Sequence, residues 1–332
     1  MPKFLAKIKM FFIKFLGSLK SLSLNVFSRL KGINYRAVIN RKTKIVILVI
    51  GILLFVAEIG FGVMIYGFKS ENKYTKIAAR IIPYPMVVAN YDVITYNDYL
   101  KEKEYIHFFY NATQQDAGDL AAVDKQILDQ LIEAKLIKEQ AFLNRVKVTN
   151  KDVDATIEEI ASQNGGQSQV EKVLQDLYGL KLNEFKRLVR TQLLRNKVND
   201  ELIAKVKASH ILIRAPKDST KEQIEAARVK AEGVKKEISD GLNFAEAAKK
   251  YSEDTSSAEQ GGELDYFAKG EMVQEFSDAA FSTKVGEVSS PILTEFGWHV
   301  IKVEAKKGKI DMKFTDWIEE LRAKSIILRF VK

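Results

Sequence analysis

Residues 206–213 have the sequence VKASHILI, a short run rich in β-branched and aliphatic side chains that predicts a β-strand. The chain changes character here, because short β-branched runs alternate from this point with helical stretches and Gly-rich turns. Helices are predicted over 220–240, 243–251 and 273–281, and two further strands over 287–293 and 298–304. Helices packed on a small, mostly antiparallel sheet form an α+β domain, which we place at residues 205–305.

The stretch before this strand, residues 86–204, predicts a helical module. It opens with a strand or hairpin over 86–96, and helices are then predicted over 97–110, 120–145, 151–163, 168–178 and 183–204. The helix over 120–145 carries one apolar stripe at helical spacing, formed by Val123, Ile127, Leu128, Leu131, Ile132 and Leu136. This module contains no cluster of chemically reactive side chains, so its composition indicates a binding or interaction domain.

Further towards the N-terminus, residues 45–68 (IVILVIGILLFVAEIGFGVMIYGF) predict a transmembrane helix, followed by a polar linker over 69–85. A helix of this length spans about 36 Å, enough to cross a hydrocarbon core of about 30 Å. Arg41, Lys42 and Lys44 precede it, so the positive-inside rule places residues 1–44 in the cytoplasm and the rest of the chain outside. A cleaved signal peptide is disfavoured, because the apolar stretch is too long and no A-x-A site follows.

Glu58 is the ionisable residue of this apolar stretch, and a charge at the centre of a membrane helix costs about 2.5–3.5 kcal/mol on insertion scales. Two interpretations stay open. Glu58 could mark a partner helix or a proton site, or it is one unfavourable residue among apolar neighbours, with Gly60 and Gly62 giving room for packing.

The net charge of +9 is confined to one end of the chain. Residues 1–44 contain eleven Lys and Arg and no acid, which leaves 41 basic and 43 acidic residues in the remainder. A nucleic-acid-binding protein carries its basic excess on a folded surface, so no nucleic-acid partner is expected. Phe, Leu and Ile alternate with lysines over 3–32, which predicts a basic amphipathic helix on anionic lipid, with a plain cytoplasmic tail as the alternative.

The chain has no Cys, which excludes disulfides, thiolate metal sites and a cysteine nucleophile. It also lacks the G-x-S-x-G, H-E-x-x-H, P-loop and G-x-G-x-x-G motifs. We therefore expect neither a metal nor a cofactor. Two of the three histidines, His210 in ASHIL and His299 in GWHVI, fall on predicted strands of one small sheet. A histidine among apolar neighbours is usually a satisfied core group, but two on one sheet, with YSED (251–254) between them, indicate a site.

Across residues 206–305 the sequence resembles the parvulin-type (PpiC, or rotamase) peptidyl-prolyl cis-trans isomerases. An ordered series of short pieces carries the resemblance: ASHIL at 208–212, NF at 243–244, YSED at 251–254, GGEL at 261–264, FAKGEM at 267–272, Phe276, Phe281, GEVS at 286–289, Pro291 and GWH at 297–299. Each piece alone is common, and the order makes the series specific. The implied fold is a four-stranded, mostly antiparallel sheet with surrounding helices.

The resemblance also implies the roles of individual residues. His210 and His299 are the paired histidines at the floor of the active site, Asp254 occupies the position that is Cys or Asp in the family, and Thr294 joins their hydrogen-bond network. The apolar substrate-binding residues are Leu264, Met272, Phe276 and Phe296, the last at a position where some relatives have Ser. A basic cluster that would select phosphorylated substrates is not expected, because Arg214, Lys217 and Lys221 are interleaved with Asp218 and Glu222.

The order of anchor, helical module, isomerase domain and closing segment is similar to that of exported SurA-like foldases. Residues 86–204 resemble their chaperone domain, and in that family the last segment, here 306–332, forms a helix that packs back on the helical module. The expected function is a membrane-anchored foldase that isomerises X–Pro bonds in exported, unfolded polypeptides and also acts as a chaperone. The alternatives are a holding chaperone whose parvulin fold only binds peptide, and a structural membrane scaffold.

Overall fold

The computed structural model of the chain describes residues 41–116, 118–216 and 218–330. The contacts between residues divide the chain into two units, one formed by the residues up to Ile132 with Ser325–Lys332, the other by Glu133–Lys324. The basic amphipathic helix predicted over 3–32 lies outside the described residues, as does Lys217.

The elements follow one another in this order. Up to residue 143 they are α1 (Arg41–Tyr66), α2 (Lys73–Ile81), β1 (Pro85–Ala89), β2 (Asp92–Thr95), α3 (Tyr96–Thr113) and α4 (Leu120–Leu143). Next come α5 (Asn150–Gln163), α6 (Gln167–Tyr178), α7 (Leu182–Leu202), β3 (Lys205–Arg214), α8 (Lys221–Ser239) and α9 (Phe244–Tyr251). The remainder comprises a 3₁₀ turn (Ala258–Gln260), β4 (Glu263–Ala268), α10 (Gln274–Ser282), β5 (Ile292–Thr294), β6 (Gly297–Lys307), α11 (Phe314–Lys324) and β7 (Ile327–Arg329).

The first unit contains the apolar helix α1 and a small antiparallel sheet in the order β2-β1-β7. Residues 46–66 of α1 include an apolar stretch with a mean hydropathy of 2.7 and no buried residue, so by length and composition this helix fits the predicted membrane span. β1 and β2 form a hairpin whose turn places Asn90 at φ 50°, a left-handed conformation that Asn tolerates better than most residues. The α3 helix follows directly, with Thr95 and Asp98 forming a capping box.

The second unit contains a four-stranded antiparallel sheet in the order β4-β3-β6-β5, which confirms the predicted α+β class. β3 and β6 pair along their whole length, from Lys205 opposite Lys307 to Arg214 opposite Gly297. The alternation of side chains puts Ile211, Ile213 and Val300 into a core with α8 and α9. The other face packs on α10 and forms the core that contains Val206, Ala208, Phe267, Phe276, Ile301 and Val303.

The helices that precede this sheet form their own cores. Val153 and Ile157 of α5 pack against Val189 of α7. Near the C-terminus, Trp317 and Ile318 of α11 lie in one core with side chains from α4 and α7, namely Ile137, Ala141, Val198 and Leu202. The domain boundaries inferred from the sequence stay predictions.

The prediction was wrong about two segments, the linker before the helical module and the C-terminal segment after the isomerase domain. The linker over 69–85 contains the helix α2, because Asn72 Oδ1 accepts from the backbone N–H groups of Tyr74 and Thr75 (both 2.9 Å) and so caps it. The C-terminal segment is not one helix over 306–332. β6 extends to Lys307, α11 ends at Lys324, and β7 pairs with β1.

Two strands also differ from the prediction. The β1–β2 hairpin, by contrast, confirms the strand or hairpin predicted over 86–96. The sequence analysis missed β4, and the strand expected over 287–293 is reduced to β5 at Ile292–Thr294. Pro291, which has no N–H to donate to a ladder, precedes β5, and Val288 makes only an isolated bridge to Lys302.

Candidate active site

His210 and His299 face each other on the central strands of the second sheet. His299 lies opposite Leu212, two residues from His210, and this diagonal register puts both imidazoles on the same face. Their Nδ1 atoms are 3.2 Å apart, and the rings stack with centroids 5.5 Å apart and planes 15° apart. Both side chains are buried, so each ring nitrogen needs a partner inside the protein.

Thr294 is the hydrogen-bond partner of His299 on the side away from His210. Its Oγ1 lies 2.8 Å from His299 Nε2, and it accepts a hydrogen bond of 3.1 Å from the backbone N–H of Phe296. The β5–β6 hairpin brings Thr294 to this position, because Thr294 pairs with Gly297 and Ile292 with His299. Gly297 has φ 139°, and a Cβ there would lie 2.3 Å from the carbonyl oxygen of Ile213, so only glycine fits this close approach.

Asp254 supplies the partner at the other end. Its Oδ2 lies 2.8 Å from His210 Nε2 and accepts from Ser257 Oγ at 2.6 Å. Its Oδ1 accepts from the hydroxyl (2.7 Å) and the backbone N–H (3.1 Å) of Ser256. Burial alone would raise the pKa of Asp254, but the hydrogen bonds from Ser257, Ser256 and His210 outweigh it and hold the pKa well below its usual range. Asp254 is therefore an ionised acceptor at neutral pH.

An ionised Asp254 sets the direction of the whole chain of hydrogen bonds when both imidazoles are neutral. His210 donates from Nε2 to Asp254, which leaves its Nδ1 as an acceptor for the Nδ1–H of His299. His299 Nε2 then accepts from the hydroxyl of Thr294. Burial, and secondarily the neighbouring His210, lowers the pKa of His299 to about 4, so His299 is neutral in this arrangement.

An aromatic side chain lies against both histidines. Phe276 of α10 meets His210 and His299 edge-on, with centroid distances of 5.6 and 5.3 Å and interplanar angles of 83° and 82°. Phe276 is buried, whereas Leu264 and Met272 are half-buried and pack against the same core. These half-buried side chains leave apolar surface next to the imidazoles, which suits contact with an apolar ring.

The structure thus brings together seven of the eight residues singled out in the sequence, namely His210, Asp254, His299, Thr294, Leu264, Met272 and Phe276. The side chain of Phe296 does not join this group, since 53% of it is exposed and its contribution to the network is its backbone N–H. Within the described part of the chain, no three His, Asp or Glu side chains are grouped so as to hold a metal ion.

Sequence reasoning missed Ser256, Ser257 and Gly262. The two serines follow Asp254 in the order Asp-x-Ser-Ser. An aspartate side chain commonly accepts a hydrogen bond from the backbone N–H two residues later, and this spacing could have identified them. Gly262 adopts φ 78°, and a Cβ there would lie 2.1 Å from the carbonyl oxygen of His210. Its own carbonyl accepts from the backbone N–H of His210 at 2.8 Å, so this glycine positions the histidine.

Comparison with known proteins assigns the chain to a family. The model of the PPIC-type PPIASE domain matches residues 186–307, and that of the SurA N-terminal domain matches residues 85–199. The foldase protein PrsA of Geobacillus kaustophilus is 34% identical over 211 residues, which cover 60% of this chain and 67% of the relative. The chain belongs to the PrsA foldase family.

Further PrsA proteins show the same similarity. The foldase protein PrsA of Staphylococcus aureus (strain Newman) is 39% identical over 211 residues, 57% of this chain and 65% of that protein. A crystal structure described as the peptidylprolyl isomerase PrsA of Bacillus anthracis is 31% identical and covers 59% of this chain and 86% of its own, with a TM-score of 0.29. Membership of the PrsA family confirms the expected enzyme class, peptidyl-prolyl cis-trans isomerase, and the SurA-like N-terminal region.

Proposed function

We propose that this PrsA-family chain is a membrane-anchored, extracytoplasmic foldase that isomerises X–Pro peptide bonds in exported, unfolded polypeptides. The observation that carries the proposal is the directed chain of hydrogen bonds from Thr294 through His299 and His210 to Asp254, with Phe276 edge-on to both imidazoles. In a buried chain of this kind every ring nitrogen has a hydrogen-bond partner. The polar groups are therefore held in fixed positions beside an apolar surface.

The chemistry of isomerisation suits such a site. Rotation about an X–Pro bond is opposed by amide resonance, with a barrier of about 18–20 kcal/mol, and takes tens to hundreds of seconds without a catalyst. To reach milliseconds the barrier must fall by about 5.5–7 kcal/mol. No covalent bond breaks, so neither a nucleophile nor a cofactor is required. Exclusion of water disfavours the charge-separated planar amide, and fixed polar groups stabilise the twisted one.

In this proposal the eight residues divide into two groups. His210, His299, Asp254 and Thr294 form the polar network at the twisting amide and hold their protons in place, because the Nδ1–H of neutral His299 donates to His210. Leu264, Met272 and Phe276 grip the proline ring by apolar contact. Phe296, which is exposed at the edge of the site, contacts the flanking residues of the polypeptide.

The substrate of this proposal is not phosphorylated. Arg214, the basic residue nearest the end of β3, donates from Nε to the carbonyl oxygen of Glu253 at 3.0 Å and from its backbone N–H to the Glu253 carboxylate at 2.8 Å. Lys230 also binds the Glu253 carboxylate, at 2.7 Å. A phosphate would have to approach a cation that already faces this carboxylate. We therefore expect no preference for phosphoserine before proline.

The anchor in this proposal is α1, with residues 1–44 in the cytoplasm and the folded units outside. The supporting observations are the apolar surface of α1 and the eleven basic residues that precede or begin it. Membrane lipid and unfolded exported polypeptides are then the partners of the chain.

A protease-coupled assay on a proline peptide, with the full chain in detergent, tests the catalytic proposal. His210→Ala and Asp254→Ala should each slow isomerisation about 10- to 100-fold, as expected when a buried partner worth about 1.4–3 kcal/mol is removed. Asp176→Ala, which removes an exposed carboxylate on α6, is the control and should leave the rate unchanged. Equal rates for all four proteins would refute catalysis at this site and leave the holding chaperone, which would still suppress aggregation of an unfolded client.

A further inference from the structure

The short helix α2, which follows the apolar helix α1, has an exposed apolar face. Tyr74, Ile77 and Ile81 are 69%, 44% and 77% exposed, and their spacing of three and four residues puts them on one side of the helix. Thr75, Ala78 and Ala79 form the buried side. This nine-residue helix buries its small side chains and exposes its large apolar ones. An exposed apolar face of this kind marks an interaction surface.

The residues that flank α2 hold it next to the C-terminal part of α1. Before the helix begins, the backbone N–H of Ser70 donates to the carbonyl oxygen of Met64 at 2.9 Å. After it ends, the hydroxyl of Tyr84 donates to the carbonyl oxygen of Glu58 at 3.2 Å. The ring of Tyr84 lies beside Gly62, where a Cβ would be 3.9 Å from Tyr84 Cε1, and the hydroxyl of Tyr66 donates to the carbonyl oxygen of Pro85 at 3.0 Å. Both ends of α2 are thus held next to the last turns of α1.

These contacts also limit how much of α1 can lie in hydrocarbon. The backbone of residues 82–84 is neither helix nor strand, and irregular backbone is not tolerated where it faces lipid tails. The boundary of the hydrocarbon therefore lies near Gly62, where the backbone of residues 84–85 returns to α1. Residues 45–61 then cross the membrane with a length of about 25 Å, which is short but within the observed range when flanking basic side chains snorkel.

The charges of α2 suit the surface of a bilayer. Lys73 and Arg80 are exposed and flank Ile77 at four residues before and three residues after it. Basic side chains beside an inserted apolar face are the pattern of a helix that lies in the lipid headgroup region, where anionic lipids attract them.

We propose that α2 is a membrane-surface helix, which inserts Tyr74, Ile77 and Ile81 into the interface of the bilayer that α1 crosses and pairs Lys73 and Arg80 with anionic headgroups. The inference rests on the proposed anchoring by α1. It places Glu58 within about one turn of the interface, where a charge costs less than at the bilayer centre, and it holds the first unit against the membrane. The lipid partner is defined by its chemistry, an anionic phospholipid surface.

Fluorescent probes on single cysteines test the inference, because the chain has no cysteine of its own. The full chain carrying Ile81→Cys, Leu53→Cys or Val229→Cys is labelled with an environment-sensitive dye and reconstituted into vesicles of phosphatidylcholine and phosphatidylglycerol, with or without brominated acyl chains. Leu53 lies in α1, and Val229 is an exposed apolar residue of α8 that serves as the matched control. The expected result is a blue shift and quenching by brominated lipid for the Leu53 and Ile81 probes, and quenching by aqueous iodide alone for the Val229 probe.

The three probes distinguish a failure of the surface-helix proposal from a failure of the proposed anchor. A lipid-quenched Leu53 probe with an Ile81 probe that behaves like Val229 would overturn the surface helix and leave the anchor intact. A Leu53 probe that brominated lipid does not quench would overturn the anchor, and the surface helix with it.

Discussion

His299 shows how a single residue can hold the polar network in one protonation state. When both imidazoles are neutral, His299 donates from Nδ1 to His210 and accepts at Nε2 from Thr294. Protonation would turn Nε2 into a second donor, and the hydroxyl of Thr294 would have to reverse. Burial is the main reason that the pKa of His299 is low, so the same feature that hides the ring from water also preserves the direction of the network.

The lowered pKa of His299 predicts how stability depends on pH. The folded-state pKa is about 4 against an ordinary value of 6.5, so the unfolded chain takes up the proton first as the pH falls. Stability is then fully present above pH 6.5 and decreases towards pH 4, by up to roughly 3 kcal/mol. Urea unfolding of the full chain in detergent at pH 7 and pH 5 measures the loss. His299→Gln should flatten this dependence, and an undiminished slope in that variant would contradict the assignment.

Gly262 leads to a second prediction at the residue scale. Gly262→Ala should lower the free energy of unfolding by about 2–3 kcal/mol and slow isomerisation, because alanine resists a positive φ and its Cβ would strike the backbone of His210. Gly233→Ala is the matched control: it lies in the exposed interior of α8 with open space around it, and alanine there should raise stability by about 0.5–1 kcal/mol. Urea titration compares the two. A Gly262→Ala protein as stable as the wild type would refute the steric argument.

Among the elements, those with strong local signals could be predicted from the sequence. The helices from α4 to α9 follow apolar stripes and side-chain caps such as Thr149, Thr220 and Asn243, which act within one turn. The sequence analysis missed α2, β4 and β7. Of these, β4 and β7 are strands whose partners, β3 and β1, lie far away in sequence, so no local pattern could reveal the pairing.

Like the helices and strands, the residues of the candidate site could be predicted from the sequence only in part. His210 and His299 were visible because histidine is rare in this chain and both fall on apolar strands. Their roles and that of Asp254 came from resemblance to a family. Ser257 could not be assigned in advance, because its hydroxyl reaches His210 Nε2 (3.1 Å) and Asp254 only when the loop after α9 folds over β3. Substrate binding by Phe296 stays a prediction, and in the structure its backbone N–H donates to Thr294.

The packing of α11 allows a prediction at the scale of an element. Trp317 is buried in one core with Ile137 of α4 and Val198 of α7, so Trp317→Ala should lower the free energy of unfolding by about 3–5 kcal/mol. Phe142→Ala is the matched control, because Phe142 of α4 is 83% exposed and its loss should change stability by less than about 0.5 kcal/mol. Thermal unfolding followed by circular dichroism compares them. Equal effects would show that α11 contributes little to this core.

At the scale of the whole molecule, charge and apolar surface are distributed along the chain in a way that favours one orientation in a membrane. The basic excess ends at Lys44, in the first turn of α1, and the remaining residues are nearly balanced. Only short flanking segments rich in Lys and Arg set the orientation of a membrane helix, so the acidic and basic residues of the folded units do not compete with residues 1–44. The proposed catalytic site then works outside the cytoplasm without a cofactor to be supplied there.

This orientation predicts which cysteines a membrane-impermeant maleimide can reach in intact cells whose wall has been removed. Lys236→Cys, on an exposed position of α8, should be labelled at once, whereas Ser21→Cys should be labelled only after the membrane is permeabilised. The absence of natural cysteine makes each signal specific. The reverse pattern would place the isomerase domain in the cytoplasm, and labelling of both before permeabilisation would show that α1 does not hold the basic segment inside. Either result would remove the basis for exported polypeptides as substrates, while the isomerase rate of the purified chain would be unaffected.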